Sequence, residues 1–234
     1  MLTRRAFIRS ALPLLARPVY CKLEPVMESA QLTAPILPGK PCYKQPESPT
    51  SLSRRNPSMA LKPTIYKFSV ALSDIDRDVY ESLNLTLARH PSETMERMLV
   101  RLLAFCFNTR ERLEFCKGIS DPEEPDLWQR GLDGNLELWI DVGEPAVERI
   151  KKATRVASLV KVYSFNSKAD TWWGLNRDAL VALPAEIFQF QWNEIKNLAD
   201  RIDRTMELSV TISEASAYVA TARGECEVAL LRHH

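Results

Sequence analysis

Histidine is scarce in this chain: there are three in 234 residues, two of them at positions 233 and 234. Histidine-based metal sites and Ser-His triads are therefore poorly supplied. The five cysteines, Cys21, Cys42, Cys106, Cys116 and Cys226, are odd in number and widely spaced. They form neither the close pairs of a zinc site nor a disulfide framework, and read as reduced thiols of a cytoplasmic protein. No apolar run approaches the roughly 18 residues of a membrane helix, so no membrane partner is expected, and no internal repeat is visible. Chemistry, if there is any, falls to carboxylates and lysines.

The net charge of +1 conceals an asymmetry. Residues 1–58 carry nine Lys/Arg against three Asp/Glu, whereas residues 59–234 carry 22 against 27. The second part is mildly acidic, so no global field draws it to nucleic acid, and any such contact must be local. Residues 1–58 also hold nine of the fifteen prolines and little periodicity, a composition expected to stay disordered because it cannot bury enough apolar surface to offset chain entropy. The basic, acid-free residues 1–23 have some character of an export or organelle-targeting segment, but Pro13 interrupts a short apolar run and no clean cleavage site follows. Translation starting at Met59 is the simpler account.

From Met59 the pattern becomes regular. Thr64 to Leu72 and Tyr80 to Ala88 read as a hairpin turning through Asp74 to Asp78. A helix is expected from Ser92 as N-cap, with Glu93 and Glu96 in its first turn and a buried stripe of Met95, Met98, Leu99, Leu102, Leu103 and Cys106. The acidic loop Ser120 to Glu124 leads to two short strands around an Asp-Gly-Asn turn within residues 125–143. Pro145 then opens a second helix with Val147, Ile150, Thr154 and Ala157 inward. Strands over Ser158 to Phe165 and Glu186 to Gln191 alternate with helices over Ala169 to Asp178 and Trp192 to Ile202. A hairpin from Met206 to Leu231 closes the domain. This order predicts an α/β domain with a mixed central sheet flanked by helices.

The hairpin within residues 125–143 carries the candidate chemistry. Asp126 follows Pro125 at the head of one strand and Asp141 lies near the end of the next, a placement by which many metal-dependent nucleases hold magnesium. Magnesium takes oxygen ligands and is usually held by one or two carboxylates plus substrate phosphate. Glu96, with Glu93 behind it, is the helix-borne acid that would complete the set of metal ligands Glu96, Asp126 and Asp141. The same acids serve equally well as caps: Asp126 of a turn, Asp141 of the helix that follows. Glu137 shares a strand face with Asp141 and reads as solvated. The lysine that such sites place two residues after the second acid is missing, because Gly143 stands there. Arg89, Arg97 and Arg149 could neutralise phosphate or pair with acids, and Trp128, Trp139, Trp172 and Trp173 could stack on bases or fill the core.

Several segments carry a family resemblance: Met59 to Phe68, Leu85 to Met98, Arg101 to Phe105, Pro125 to Trp128, Glu137 to Gly143, Arg149 to Ala153, and Trp172-Trp173. In these the chain resembles the YaeQ family over essentially all of residues 59–234, and family members typically begin at the position of Met59. The resemblance implies a variant of the PD-(D/E)XK, restriction-endonuclease-like fold. It implies Asp126 and Asp141 as metal ligands, Glu96 as the helix acid, and a cation from the next helix in place of one at Gly143. Helix phase brings Lys151 nearer the buried stripe, while the family pattern favours Lys152, so both stand as candidates. Lys161, in mid-strand, reads as an edge cation. The expected function is magnesium-dependent phosphodiester hydrolysis on nucleic acid. The rival is a catalytically silent binding or regulatory module of the same fold.

Overall fold

The structure is a computed structural model, and it describes residues 62–117 and 123–234. The expectations for residues 1–58, for a start at Met59 and for most of the loop from Ser120 lie outside the described residues. Ten strands and four helices follow in the order β1 (Thr64–Asp74), β2 (Val79–Arg89), α1 (Met95–Phe107), β3 (Leu113–Phe115), β4 (Leu127–Arg130), β5 (Leu136–Val142), α2 (Val147–Ala153), β6 (Ala157–Ser164), α3 (Ala169–Val181), β7 (Ala185–Phe190), α4 (Trp192–Ala199), β8 (Thr205–Ser213), β9 (Ser216–Thr221) and β10 (Gly224–Arg232). The mixed α/β class is as expected. The C-terminal hairpin is corrected to a three-stranded meander, split by a turn at Ala222-Arg223 before Gly224, whose φ is 122°. β3 was not foreseen.

All ten strands form one mixed sheet, curled nearly into a barrel, in the order β2-β1-β8-β9-β10-β7-β6-β5-β4-β3. β1 pairs antiparallel with β2 and parallel with β8, Lys67 lying opposite Thr205. β5, β6 and β7 are parallel, joined through α2 and α3 as βαβ units. β10 is the seam: its first residues pair with β9 and Leu230, Leu231 and Arg232 pair with β7.

The two halves of the sheet are covered differently. β1 alternates buried and exposed almost without fault, with Tyr66, Phe68, Val70 and Leu72 turned to the core. In β5 the last five residues, Leu138 to Val142, are all buried. The inner face packs on α1 and α4. The outer face of β5–β7 packs on α2 and α3 through a second cluster that includes Trp139, Ile150, Val160, Val162 and Leu180. A strand covered on both faces must be apolar throughout, whereas a strand covered on one face alternates.

Helix α1 lies in the middle of the larger core, and Met98 to Cys106 are buried without a break. Leu99, Leu102 and Leu103 each contribute roughly 2 kcal/mol by leaving water. Its N-cap is Thr94, whose hydroxyl accepts from Arg97 N–H at 3.2 Å, and not the expected Ser92. Ser92 instead takes part in a turn, its hydroxyl 2.7 Å from His90 Nδ1. Among the described residues no helix is long and apolar enough to cross a membrane.

Candidate functional site

The pairing of Leu127 with Ile140 sets Asp126 opposite Asp141 at the open end of the β4–β5 hairpin, and Asp126 N–H donates to Ile140 O at 2.9 Å. Both residues are nearly sealed from solvent, at 3% and 2% exposure. A buried carboxylate without a partner would cost several kcal/mol, and each has arginine beside it.

Asp126 Oδ2 accepts from Val142 N–H at 2.8 Å and from Arg97 Nη2 at 2.9 Å. Oδ1 lies 2.8 Å from the same Arg97 nitrogen and 3.6 Å from Arg101 Nε. These are charge contacts, since neither Oδ1 nor Arg101 Nε has a directed hydrogen bond. Burial pushes the Asp126 carboxyl above the ordinary carboxylate range. Arg97, Arg101 and the Val142 N–H offset only part of that rise, and the nearby charge of Asp141 adds to it.

Asp141 is clamped from the other side. Arg149 of α2 donates to it twice, Nε to Oδ2 at 3.0 Å and Nη2 to Oδ1 at 2.8 Å. The same guanidinium reaches Glu124 O at 2.8 Å and lies 5.8 Å from the centre of the Trp139 ring. Partial burial works against the charge on Arg149, but the bond to Asp141 together with the charges of Asp141, Asp126 and Glu123 outweighs it and raises the pKa above the usual arginine value.

The helix acid that joins this group is Glu93. With Thr94 as cap, Glu93 precedes the helix and turns back beneath it, 5% exposed. It accepts from Arg97 Nη1 at 3.1 Å and from Arg101 Nη1 at 3.2 and 3.3 Å. Glu96 is half-buried, and none of the hydrogen bonds or ion pairs of the cluster involves it. Arg101 was missed by the sequence reading. It is 2% exposed, donates to Cys116 O at 3.2 Å and sits 5.7 Å from the Phe115 ring. The signal was there in Glu93, Arg97 and Arg101, spaced four residues apart as on one helix face. Glu93, Asp126 and Asp141 face Arg97, Arg101 and Arg149, three charges against three. Among the described residues no group of three or more Asp, Glu, His or Cys is placed to hold a metal ion.

Gly143 has a physical reason. Its φ is 104°, and a side chain added there would meet nothing within 4 Å. Space is available, but the left-handed backbone disfavours any L-residue, lysine included. Lys152 stands on α2 with Nζ 3.0 Å from Glu123 Oε2, and both side chains are largely exposed. Lys151 is exposed on the same helix. Lys161 lies on β6 between β5 and β7, so it is not an edge cation. It pairs with Glu186 at 3.2 Å, and burial holds its pKa below the usual lysine value. Glu137 is exposed.

A cavity of about 410 Å³ is lined in part by Arg149, the partner of Asp141. Leu136, Trp139, Ala153 and Val156 give it an apolar lining, and Glu123, Arg149 and Lys152 its charge. Trp172 and Trp173 pack with Trp139 around the second core cluster. Trp128 is half-buried beneath Arg130, 4.2 Å from ring centre to guanidinium. Arg89 lies 5.8 Å from the Tyr66 ring. Burial, with Glu124 adding to it, pushes the Cys116 thiol up to about 12, which removes it as a thiolate nucleophile near neutral pH.

The comparisons with known proteins agree with one another. The family model described as YaeQ protein matches residues 59–230. The uncharacterized protein YaeQ of Salmonella typhi is 40% identical over 174 residues, 74% of this chain and 96% of the relative. Its counterpart in Escherichia coli K12 is 38% identical over the same shares. The crystal structure of the YaeQ protein from Xanthomonas axonopodis pv. citri superposes with a TM-score of 0.71 at 33% identity, covering 74% of this chain and 98% of that one. That from Pseudomonas syringae gives 0.70 at 39% identity, covering 74% and 96%. With a family model matching most of the chain and relatives covered almost in full, the chain belongs to the YaeQ family.

Proposed function

We propose that the chain is a restriction-endonuclease-like phosphodiester hydrolase acting on nucleic acid, with Asp126 and Asp141 as its central groups. The observation that carries the reading is the pair itself: two buried carboxylates opposed across β4 and β5, one of which keeps a buried oxygen, Asp126 Oδ1, with no directed hydrogen bond. Two carboxylates fit a hard divalent cation by donor type, and Asp126 and Asp141 are the residues that would hold it in exchange for their contacts with Arg97 and Arg149. Magnesium, when bound, supplies Lewis-acid stabilisation of a phosphate ester and a more acidic water.

The chain's own residues do the rest. Arg149 moves from Asp141 toward substrate phosphate, exchanging one bidentate oxyanion partner for another. Lys152 adds a cation at the same rim in place of one at Gly143. Glu93 holds Arg97 and Arg101 in position behind Asp126, which leaves Glu96 and Lys151 peripheral.

The test is cleavage of single-stranded, double-stranded and structured DNA and RNA with magnesium, using Asp141→Ala as control. Hydrolysis should fall roughly 100-fold or more in the variant, and activity that survives the substitution sinks the assignment. A second reading, a catalytically silent binding or regulatory module, is favoured by one specific observation: the three acids are already matched by three arginines. Binding of nucleic acid without cleavage of any substrate would support it.

A further inference from the structure

We infer that the cavity beside Arg149 is a seat for one unpaired nucleotide, so that the substrate of this site is single-stranded nucleic acid or a strand end that has come unstacked. This rests on the reading of the site as one that handles nucleic acid, though not on turnover. About 410 Å³ accommodates a single nucleotide, whereas a base pair held in a duplex has both faces covered by its neighbours and cannot enter. The lining suits a base: Leu136, Ala153 and Val156 are apolar, and Trp139 contributes the carbon surface of a largely buried indole. Bases stack on aromatic rings and on guanidinium planes alike.

The rim suits the attached phosphate. Lys152 is held to Glu123 only by an exposed ion pair, which costs little to exchange. Arg149 joins the two sites, lying over the Trp139 ring while it grips both oxygens of Asp141. A nucleotide in the cavity therefore brings its phosphate to the arginine that holds Asp141.

The experiment uses the full chain in EDTA, with a 12-nucleotide DNA containing 2-aminopurine, single-stranded or annealed into a blunt duplex. The single strand should bind at least about tenfold more tightly, with a change in 2-aminopurine fluorescence. Val156→Trp fills the cavity and Val156→Glu places a negative charge in it. Val156 is 57% exposed, so both variants should keep the wild-type melting temperature while losing roughly tenfold in single-strand affinity. Lys152→Ala gives an independent check and should weaken binding of the same strand and flatten its salt dependence. Equal or tighter duplex binding, or unchanged affinity in both Val156 variants, overturns the inference. Magnesium cleavage run in parallel separates the two proposals. Hydrolysis without single-strand preference removes the nucleotide seat and leaves the hydrolase reading standing, while single-strand binding lost in the Val156 variants without hydrolysis does the reverse.

Discussion

The strands β2, β1, β8 and β9 and the strands β7, β6 and β5 belong to one sheet but obey different rules. The first group has a core on one side, so its other face carries residues such as Ser69, Asn84, Thr86 and Ser209. The second has helices on both faces, and β5 is buried from Leu138 onward. Asp141 lies in the second region and Asp126 at its border, at the head of β4, where a carboxylate is hardest to keep charged, and it is there that three arginines gather. The difference teaches that these acids are held at a cost the rest of the sheet avoids.

The comparison is most severely strained at Arg101. Arg101→Met leaves Glu93 and Asp126 with one guanidinium fewer in a sealed region and should destabilise by about 3–5 kcal/mol, read from urea unfolding. Adding Glu93→Gln should recover part of the loss, and a double variant no better than the single would mean that charge is not the cause. Next in size is a matched pair. Leu138→Ala, in the two-sided region, should cost about 3 kcal/mol, whereas Ser209→Ala, on the open face of β8, should stay within about 0.5 kcal/mol. Similar losses in both would erase the distinction between the regions. Gly143→Lys, which restores the residue type missing from the hairpin, should cost about 2 kcal/mol through its backbone alone, and a stability gain would refute the strain argument.

The smallest effect is a pH slope. The folded pKa of Asp126 is raised above its unfolded value, so the stability it contributes is fully present below about pH 4 and is lost as pH rises through the folded pKa. The stability difference between wild type and Asp126→Asn should therefore shift in favour of the variant from pH 4 upward and then level off. A shift in the opposite direction would mean that Arg97 and Arg101 outweigh burial.

Periodicity and turn residues were enough to read most of the fold. β1 and β2 came from alternation around Asp74 to Asp78, and α2 from its start at Pro145 and its inward stripe, although the helix ends at Ala153 and Ala157 belongs to β6. β3 escaped because three residues carry no period. The division between β9 and β10 escaped because Gly224, the signal for the turn, stands in a long strand-like run. At the site, Asp126 and Asp141 were legible from their places on the hairpin. Glu93 was ranked behind Glu96 because Glu96 borders the buried stripe on the helix, whereas Glu93 lies before the helix starts, where no wheel position shows that it reaches Arg97 and Arg101. Arg101 could not be read from a stripe rule that sends charge to the surface: only a partner elsewhere in the chain, Asp126, makes its burial tolerable.

The parallel register of β1 with β8 has a consequence for how the molecule is made. Lys67 meets Thr205, more than half the chain later. As the polypeptide leaves the ribosome, the β1–β2 hairpin emerges with one edge open and its apolar face, Tyr66 to Leu72, uncovered, and it must wait for β8 before that edge is closed. Open strand edges are sites of misassociation, and long-range pairing of this kind is slow. During synthesis, then, the first of the described strands to appear keeps an open edge until nearly all the others have been made.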